Sequence, residues 1–393
     1  MRTTLGHIAT IRLGHPFRSA DFVDEGVRLL RGDNIAPGSL RWEGAAHWAT
    51  ASPREYLLQD GDVVLAMDRP WIAAGLKFAR VRESDLPALL VQRVAALRAV
   101  PGVDQGFIEA VVRDPKFSAY VQSIQTGTAV PHISGRQIGD YPVRLPGRPE
   151  QRAIAQVLGA LDDKIAANSN LSRTLNDLAA EYFSQSVQAA GEGPTYGNIA
   201  DVFGGGTPST KIDEYWGGEI RWATPTDVTA LEAPYLEDTS RHLTSAGLAA
   251  CVSELHPAGS ILMTSRATIG AFALAGGPTA VNQGFIVVRP KDSQLDMWLF
   301  HEMQSRVSDY LAVANGATFL ELSRGRFKTM PVRWAPEDVM RQFGAIARPL
   351  HGRARAAMHE SRSLVTLRNT LLQELMSGRL TVKDAERAVE EAL

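Results

Sequence analysis

The sequence predicts an α+β protein in which two repeated, β-rich globular domains are separated by two long antiparallel helices, with a pseudo-twofold relation between the halves. Three observations predict this fold class. The 393-residue chain repeats itself in order at an offset of about 190 residues. Short apolar runs between Gly, Pro and Asp residues fill each repeat, which is typical of strands. A long stretch with helical spacing of its apolar residues follows each repeat.

Four blocks of the first half recur in the second half in nearly one register. The opening block Gly6–Ile11 matches Gly197–Val202 at an offset of 191 residues. The other matches are Gly61–Leu65 with Gly259–Met263, Gln92 and Arg98 with Gln283 and Arg289, and Gly127, Ser134, Pro142 and Val143 with Gly316, Ser323, Pro331 and Val332. Because order, spacing and turn residues are kept together, we predict an internal duplication.

The stretch from Pro149 to about Gln188 is predicted to be one uninterrupted helix, because its apolar residues are spaced by three and four. At 1.5 Å per residue it is a rod of roughly 55 to 60 Å. Its apolar stripe predicts a partner, which we place between Pro336 and Ser377, with a kink or break at Pro349. The residues predicted to pack between the helices are Ile154, Leu158, Leu161, Ile165, Leu175, Leu178, Phe343, Ile346, Leu364, Leu367 and Leu371.

These patterns divide the chain into four parts. The predicted segments are a first globular domain at 1–148, a central long helix at 149–190, a second globular domain at 191–335 and a C-terminal long helix at 336–393. Since each helix begins at the end of a globular domain, antiparallel packing of the helices predicts globular domains at opposite ends of the pair.

Composition favours a reducing compartment. The single cysteine, Cys251, excludes an internal disulfide and a Cys-rich zinc site. No run of about 18 apolar residues is present and the first residues lack the apolar core of a signal peptide, so a cytoplasmic protein with no membrane partner is expected. The net charge of −2 does not suggest nucleic acid, but Leu320–Ala356 carries eight basic and three acidic residues.

Catalytic signatures are missing. The sequence has no Walker A loop, no His-Glu-x-x-His, no Gly-x-Ser-x-Gly and no Asn/Asp-Pro-Pro-aromatic motif, which argues against an ATPase, a zinc protease or an autonomous DNA methyltransferase. The nine histidines have no ligand spacing, so we expect no metal. Asp162 and Asp163 are predicted to lie on the solvated side of the central helix.

Arginine and aromatic residues in equivalent loops of the repeats suggest contact with two separate patches of DNA. Arg69 and Arg266 each end an apolar strand at the same place in the repeat. The residues predicted to contact DNA are Arg69, Trp71, Ser134, Arg136, Gln137, Trp216, Arg266, Ser323, Arg324 and Arg326. A repeat scaffold that does not bind DNA is the alternative, because the net charge is near zero; a steep loss of DNA binding with salt would separate the two.

The chain resembles the specificity subunits of type I restriction-modification systems. The block Gly127–Leu171 carries the resemblance, with its glycine loop, His-Ile-Ser, Pro-Val, Leu-Pro, Glu-Gln and Leu-Asp-x-Lys-Ile. The segment Thr207–Asp227 is similar to the opening of the family's second recognition domain, and Leu371–Val382 is similar to the family's ending.

The resemblance implies a subunit without catalytic activity. Each target recognition domain would read one half of a bipartite site in double-stranded DNA, and the two helices would set the spacer and dock two methyltransferase subunits. A restriction and translocase subunit would complete the complex. The resemblance implies no cofactor for this chain, since S-adenosylmethionine, ATP and Mg²⁺ would belong to the partner subunits.

Overall fold

The computed structural model describes residues 1–124, 131–316 and 320–392. It combines helices and strands, so the predicted α+β class is confirmed. Gly127, which the repeat alignment used, lies outside the described residues.

The chain forms two compact units. Unit 1 comprises residues 1–165 and 362–393, and unit 2 comprises residues 166–361. We call the β-rich part of unit 1, residues 1–147, module 1, and the β-rich part of unit 2, residues 191–335, module 2. Each unit therefore contains one module together with parts of both long helices.

Module 1 is built from short strands, and the first long helix follows it. Its strands are β1 Arg2–Thr4, β2 Ala9–Leu13, β3 Val27–Leu30, β4 Ile35–Ala36, β5 Ser39–Leu40, β6 His47–Trp48, β7 Val63–Ala66, β8 Trp71–Ile72, β9 Gly75–Leu76, β10 Phe78–Arg80, β11 Ala88–Leu90, β12 Val94–Ala99 and β13 Pro142–Arg144. The helices are α1 Leu5–Ile8, α2 Gln105–Arg113, α3 Pro115–Ile124, α4 Gly135–Gly139 and the long α5 Arg148–Ser186.

Module 2 repeats this plan, and the second long helix follows it. Its strands are β14 Gly191–Thr195, β15 Ala200–Phe203, β16 Trp216–Ala223, β17 Tyr235–Leu236, β18 Arg241–Leu243, β19 Ile261–Thr264, β20 Phe272–Ala275, β21 Thr279–Val281, β22 Phe285–Pro290 and β23 Pro331–Trp334. The helices are α6 Tyr196–Ile199, α7 Pro225–Thr229, α8 Ser245–Ala249, α9 Asp296–Gln304, α10 Val307–Val313, α11 Arg324–Lys328, the long α12 Glu337–Ser377 and α13 Val382–Ala392.

The two modules share one sheet topology, which confirms the predicted duplication. The strand order β10-β7-β12-β2 of module 1 recurs as β20-β19-β22-β15 in module 2, where β17 is added at one edge. Each module also has a three-stranded sheet with one parallel and one antiparallel pair, β11-β3-β6 and β21-β16-β18. A two-stranded ribbon, β1 with β13 and β14 with β23, joins the start of each module to its end.

In unit 1 the long helices pack on module 1 through one apolar core. Ile154, Leu158 and Leu161 of α5 are buried there with Leu364 and Leu371 of α12. The predicted residues Ile165 and Leu367 are partly buried against the same core. In unit 1, the helices therefore pack through the residues that the helical spacing of the sequence predicted.

Asp162 is an exception to the predicted solvated face. Its carboxylate accepts hydrogen bonds from Arg113 of α2 at 3.0 Å and from Arg368 of α12 at 2.6 Å, and only 17% of its side chain is exposed. Asp163 is 79% exposed, as the pattern predicted. Asp162 thus joins three helices of unit 1, because its position on α5 lies between α2 and α12.

In unit 2 the two helices run antiparallel, as predicted. Asn168 of α5 donates a hydrogen bond to Glu360 of α12 at 3.0 Å, and Phe183 packs on Phe343 with ring centroids 5.4 Å apart. Residue numbers therefore fall along α12 as they rise along α5.

The buried face of α5 in unit 2 differs from the predicted stripe. Leu178 is 40% exposed, whereas Ala179 and Phe183 are buried, and Leu175 is partly buried. On α12, Phe343 is buried and Ile346 is partly buried. The stripe predicted for α5 is thus one residue out of register at its C-terminal end, because a straight helix drifts against a fixed heptad spacing over so many turns.

The second long helix also differs from the prediction at two places. It continues through Pro349 without a break, since Pro349 lies on the exposed side while Phe343 and Ala347 are buried. It ends at Ser377, where Gly378 adopts a φ of 76° and caps the helix. The segment after this cap forms the separate helix α13, so the region from residue 336 contains two helices.

Candidate nucleic-acid interface

All ten residues predicted to contact DNA are accessible to solvent to some degree. The exposed ones are Arg69, Trp71, Ser134, Arg136, Arg266, Ser323, Arg324 and Arg326, and the half-buried ones are Gln137 and Trp216. Some of these side chains already form hydrogen bonds or ion pairs within the fold, whereas others are free to contact a ligand.

The paired loops end in short helices that begin in the same way. The Ser134 hydroxyl accepts a hydrogen bond from the Gln137 amide, and the Ser323 hydroxyl accepts one from the Arg326 amide, each at 3.2 Å. The Gln137 side chain accepts from the Ser134 amide at 2.8 Å and donates to the Ile124 carbonyl at 3.0 Å. Both serines and Gln137 therefore have capping or bridging roles in the fold.

The arginines of these helices are more available. The Arg136 side chain is 92% exposed and lies 3.8 Å from Asp140, a contact worth little in water. Arg324 and Arg326 are exposed, and the Arg324 guanidinium lies against the backbone of Gly204. These three side chains can reach a phosphate or a base edge without breaking a buried contact.

Arg69 and Arg266 are not structurally equivalent, which corrects the prediction. The Arg69 amide donates to the Pro131 carbonyl, and the matching bond in module 2 runs from the Ala267 amide to the Leu320 carbonyl. Arg69 and Ala267 also share an unusual backbone conformation, with φ of 44° and 60°. The true counterpart of Arg266 is Asp68, and Arg266 forms an ion pair with Glu321 at 2.7 Å.

Trp71 lies in an exposed hairpin of module 1. Strands β8 and β9 pair antiparallel, and Trp71 and Ile72, which form β8, are 38% and 39% exposed. Because this ring and the neighbouring isoleucine are only partly covered, they are available to pack on a partner.

Trp216 of module 2 is held more firmly. Its ring packs edge-to-face on Trp222 at 5.0 Å, and its indole N–H donates to the Ser209 carbonyl at 3.2 Å. The Arg241 guanidinium stacks 3.4 Å from its ring centroid. The sequence did not single out Arg241, since it lies outside the matched blocks of the repeat.

A cleft of about 330 Å³ in module 1 collects cations that sequence reasoning missed. Arg31, Lys77 and Arg93 line it together with the predicted residue Arg69. One signal could have pointed to Lys77, because it is one of few lysines and interrupts an otherwise apolar run, Gly75–Ala79. The other two come from separate segments, and no sequence pattern connects them.

A larger cleft of about 900 Å³ in unit 1 has a mixed charge. Its basic residues are Arg80, Arg82, Arg113 and Arg152, and its acidic residues are Asp60, Glu83, Asp104, Glu109, Asp162 and Asp163. The acidic excess makes this cleft unsuited to a DNA backbone. None of the residues predicted to contact DNA lines it.

Module 2 is joined to both long helices by a buried polar network within unit 2. The Tyr235 hydroxyl donates to Asn176 of α5 at 2.9 Å and lies 2.9 Å from Nδ1 of His351 on α12. Nε2 of His351 lies 2.9 Å from Nε2 of His301. Burial lowers the pKa of both histidines, so both rings are neutral at pH 7.

Acid should destabilise unit 2 through His256, whose buried ring nitrogens have no hydrogen-bond partner among the described residues. Burial, aided by Arg289, lowers the pKa of His256 to about 4 from an unfolded value of 6.5. The contribution of neutral His256 to the free energy of unfolding is therefore fully present above pH 6.5. It falls by about 1.4 kcal/mol per pH unit as the pH drops from 6.5 towards 4. Urea denaturation from pH 7 to pH 4.5 should show a shallower slope for His256→Phe than for the wild type.

The matched control is His359→Gln, which changes an exposed histidine of α12. We expect this control to keep the wild-type slope. An unchanged slope in His256→Phe would contradict the assignment of the acid sensitivity to His256.

Two further findings bear on ligands. In residues 1–124, 131–316 and 320–392, no three His, Cys, Asp or Glu side chains are grouped so that they could hold a metal ion. In the same part of the chain, every helix is too short or too polar to cross a membrane.

The family described as the type I restriction modification DNA specificity domain matches residues 195–336, which cover nearly all of module 2. Module 2 therefore matches the type I DNA specificity domain family. The family resemblance predicted from the sequence is therefore confirmed. Module 1 shares its sheet topology with module 2.

Two relatives and one solved structure are similar to parts or all of the chain. The MjaIX specificity subunit of Methanocaldococcus jannaschii is 40% identical over 144 residues, 36% of this chain and 33% of the relative. The EcoAI specificity subunit of Escherichia coli is 35% identical over 161 residues, 39% of this chain and 27% of the relative. The match thus spans about a third of each relative's length.

The solved structure of a type I restriction-modification S subunit from M. genitalium matches over 95% of both chains, with a TM-score of 0.60 and 15% sequence identity. At this identity the likeness concerns the fold. It supports the α+β architecture with two modules and long helices.

Proposed function

We propose that this chain is the DNA-specificity subunit of a type I restriction-modification complex. Each module reads one half of a bipartite site in double-stranded DNA. The long helices set the spacer between the half-sites and dock two methyltransferase subunits, and a restriction and translocase subunit completes the complex. The chain itself carries out no catalysis and binds no cofactor; S-adenosylmethionine, ATP and Mg²⁺ act in the partner subunits.

One observation carries this proposal: the module that belongs to the DNA specificity domain family has a second copy of its topology in the same chain. Two copies of a reading module on one chain fit a site with two separated parts. The exposed arginines in the loops of both modules supply donors suited to phosphates and guanine edges.

The proposal is tested by sequencing methylated bases in genomic DNA from cells that express this chain with its methyltransferase partner, with and without this gene. We expect a split motif with a fixed gap that disappears on deletion. An unchanged pattern of methylation, with the partner shown to be active, would favour the scaffold alternative.

Arg324 and Arg326 test the contribution of module 2. The double variant Arg324→Ala, Arg326→Ala should weaken or relax recognition of one half-site by roughly tenfold or more, because each good base contact contributes about 1–3 kcal/mol of discrimination. The other half-site should be unchanged. Lys291→Ala, an exposed cation of module 2 outside this loop, is the control. Unchanged site choice and affinity in the double variant would rule out this loop.

A further inference from the structure

Module 1 contains a compact group of charged residues that the proposed function does not yet use. We call it the basic cleft, and its charged residues are Arg31, Asp33, Asp68, Arg69, Lys77 and Arg93. Four cations and two carboxylates surround a space of about 330 Å³. The cleft is therefore positively charged and large enough to admit part of a base or a phosphate.

The two carboxylates of the basic cleft pair with only two of its four cations. Arg31 lies 3.7 Å from Asp33, and Arg93 lies 3.7 Å from Asp68. Among the residues that the structure describes, Arg69 and Lys77 have no carboxylate within 4 Å.

Lys77 is the least accessible cation of the group. It is only 8% exposed, and burial together with the nearby Arg69 lowers the pKa of its ammonium, while Asp33 partly offsets this effect. A buried cation without a close carboxylate gains most from a ligand that brings hydrogen-bond acceptors.

Backbone hydrogen bonds identify the counterparts of these residues in module 2. The Lys77 carbonyl accepts from the Ala66 amide, and the matching bond joins Ala271 to Thr264. The Met67 amide donates to Arg93, and the matching bond runs from Ser265 to Gly284. The resulting counterparts are Thr224 for Arg31, Ala267 for Arg69, Ala271 for Lys77 and Gly284 for Arg93.

All four cations of the basic cleft are thus replaced by uncharged residues in module 2. Gln92, which also lines the cleft, is kept as Gln283. The two modules share the frame of this site and differ in its charged side chains.

This difference distinguishes a phosphate contact from a base contact. The sugar-phosphate backbone is the same at both halves of a DNA site, so a phosphate clamp in this position should recur in both modules. A site that reads bases should differ between modules that read different sequences. Among base edges, the O6 and N7 acceptors of guanine are the best match for cationic donors.

We propose that the basic cleft is the base-reading site of module 1 and that it recognises a guanine edge in the half-site that module 1 reads. The inference rests on the proposed function, since it requires that module 1 binds DNA. It assigns specificity to Lys77, Arg69 and Arg93, while the corresponding site of module 2, which lacks these cations and has Arg266 in place of Asp68, reads its own half differently.

The test replaces the cations by the residues of module 2: Lys77→Ala, Arg69→Ala and Arg93→Gly. These variants suit the fold, because Ala267 has the positive φ of Arg69, and glycine readily adopts the φ of 66° found at Arg93. Lys77→Met, which keeps most of the side-chain volume, guards against loss of folding at the buried position. Arg54→Ala, an exposed cation of module 1 outside the cleft, is the control.

Each variant is expressed with the methyltransferase partner, and methylated sites are mapped across the genome. We expect Lys77→Ala and Lys77→Met to relax the preference at one guanine position of one half-site by roughly tenfold or more, with the other half-site and the gap unchanged. Arg54→Ala should leave the motif intact.

An intact motif with uniformly weaker methylation and a less steep salt dependence of DNA binding would overturn the inference, because these are the signs of a phosphate contact. Full retention of motif and affinity in all three cleft variants would overturn it as well. Failure of the proposed function would look different, since the wild-type chain would then direct no split motif at all.

Discussion

Glu302→Gln should destabilise unit 2 by about 3 kcal/mol, the largest loss that we expect from one change of charge. Glu302 is fully buried, and its carboxylate accepts hydrogen bonds from the Arg333 amide at 3.0 Å, the Arg333 guanidinium at 2.8 Å and Arg306 at 3.3 Å. The neutral amide would leave both guanidinium groups without their buried counter-charge.

Urea denaturation measures this loss, and hydrogen exchange in α9 and β23 locates it in unit 2. Glu219→Gln is the matched control, because Glu219 is exposed on β16 of the same unit. We expect the control to stay within about 0.5 kcal/mol of the wild type. A loss below 1 kcal/mol in Glu302→Gln would mean that the two arginines find other partners or water.

Leu161→Ala should destabilise unit 1 by about 3 kcal/mol. Leu161 is fully buried in the core that α5 shares with α12 and module 1, so truncation removes apolar contact and leaves a cavity. Leu178→Ala, on the same helix but 40% exposed, should cost less than about 1 kcal/mol. Urea denaturation of the full chain compares the two, and equal losses would contradict the packing described for α5.

The duplication could be predicted from sequence because its turns require particular residues. Gly61 and Gly259 occupy the same turn with φ of 85° and 82°, a conformation that side chains disfavour. Such residues keep their spacing when the surrounding surface changes. The helix spacing was equally informative in unit 1, where Leu158 and Leu161 are buried as predicted.

The candidate interface was harder to predict, for two physical reasons. Arg69 and Arg266 were matched by residue type, but hydrogen-bond register decides equivalence, and it pairs Arg69 with Ala267. The basic cleft escaped notice because Arg31, Lys77 and Arg93 come from segments far apart in the chain, and only the folded sheets bring them together. The spacing of residues within one segment does not show which residues of another segment will lie beside it in the folded protein.

The division of the chain into units has a consequence for the order of folding during synthesis. Unit 2 is one continuous segment, 166–361, so all of its residues are made before residues 362–393 of unit 1. Unit 1 combines 1–165 with 362–393, and its core includes Leu371 and Leu375 from the end of the chain. The module that leaves the ribosome first therefore completes its core last, and until then the apolar residues that α12 and α13 cover in the folded unit stay uncovered.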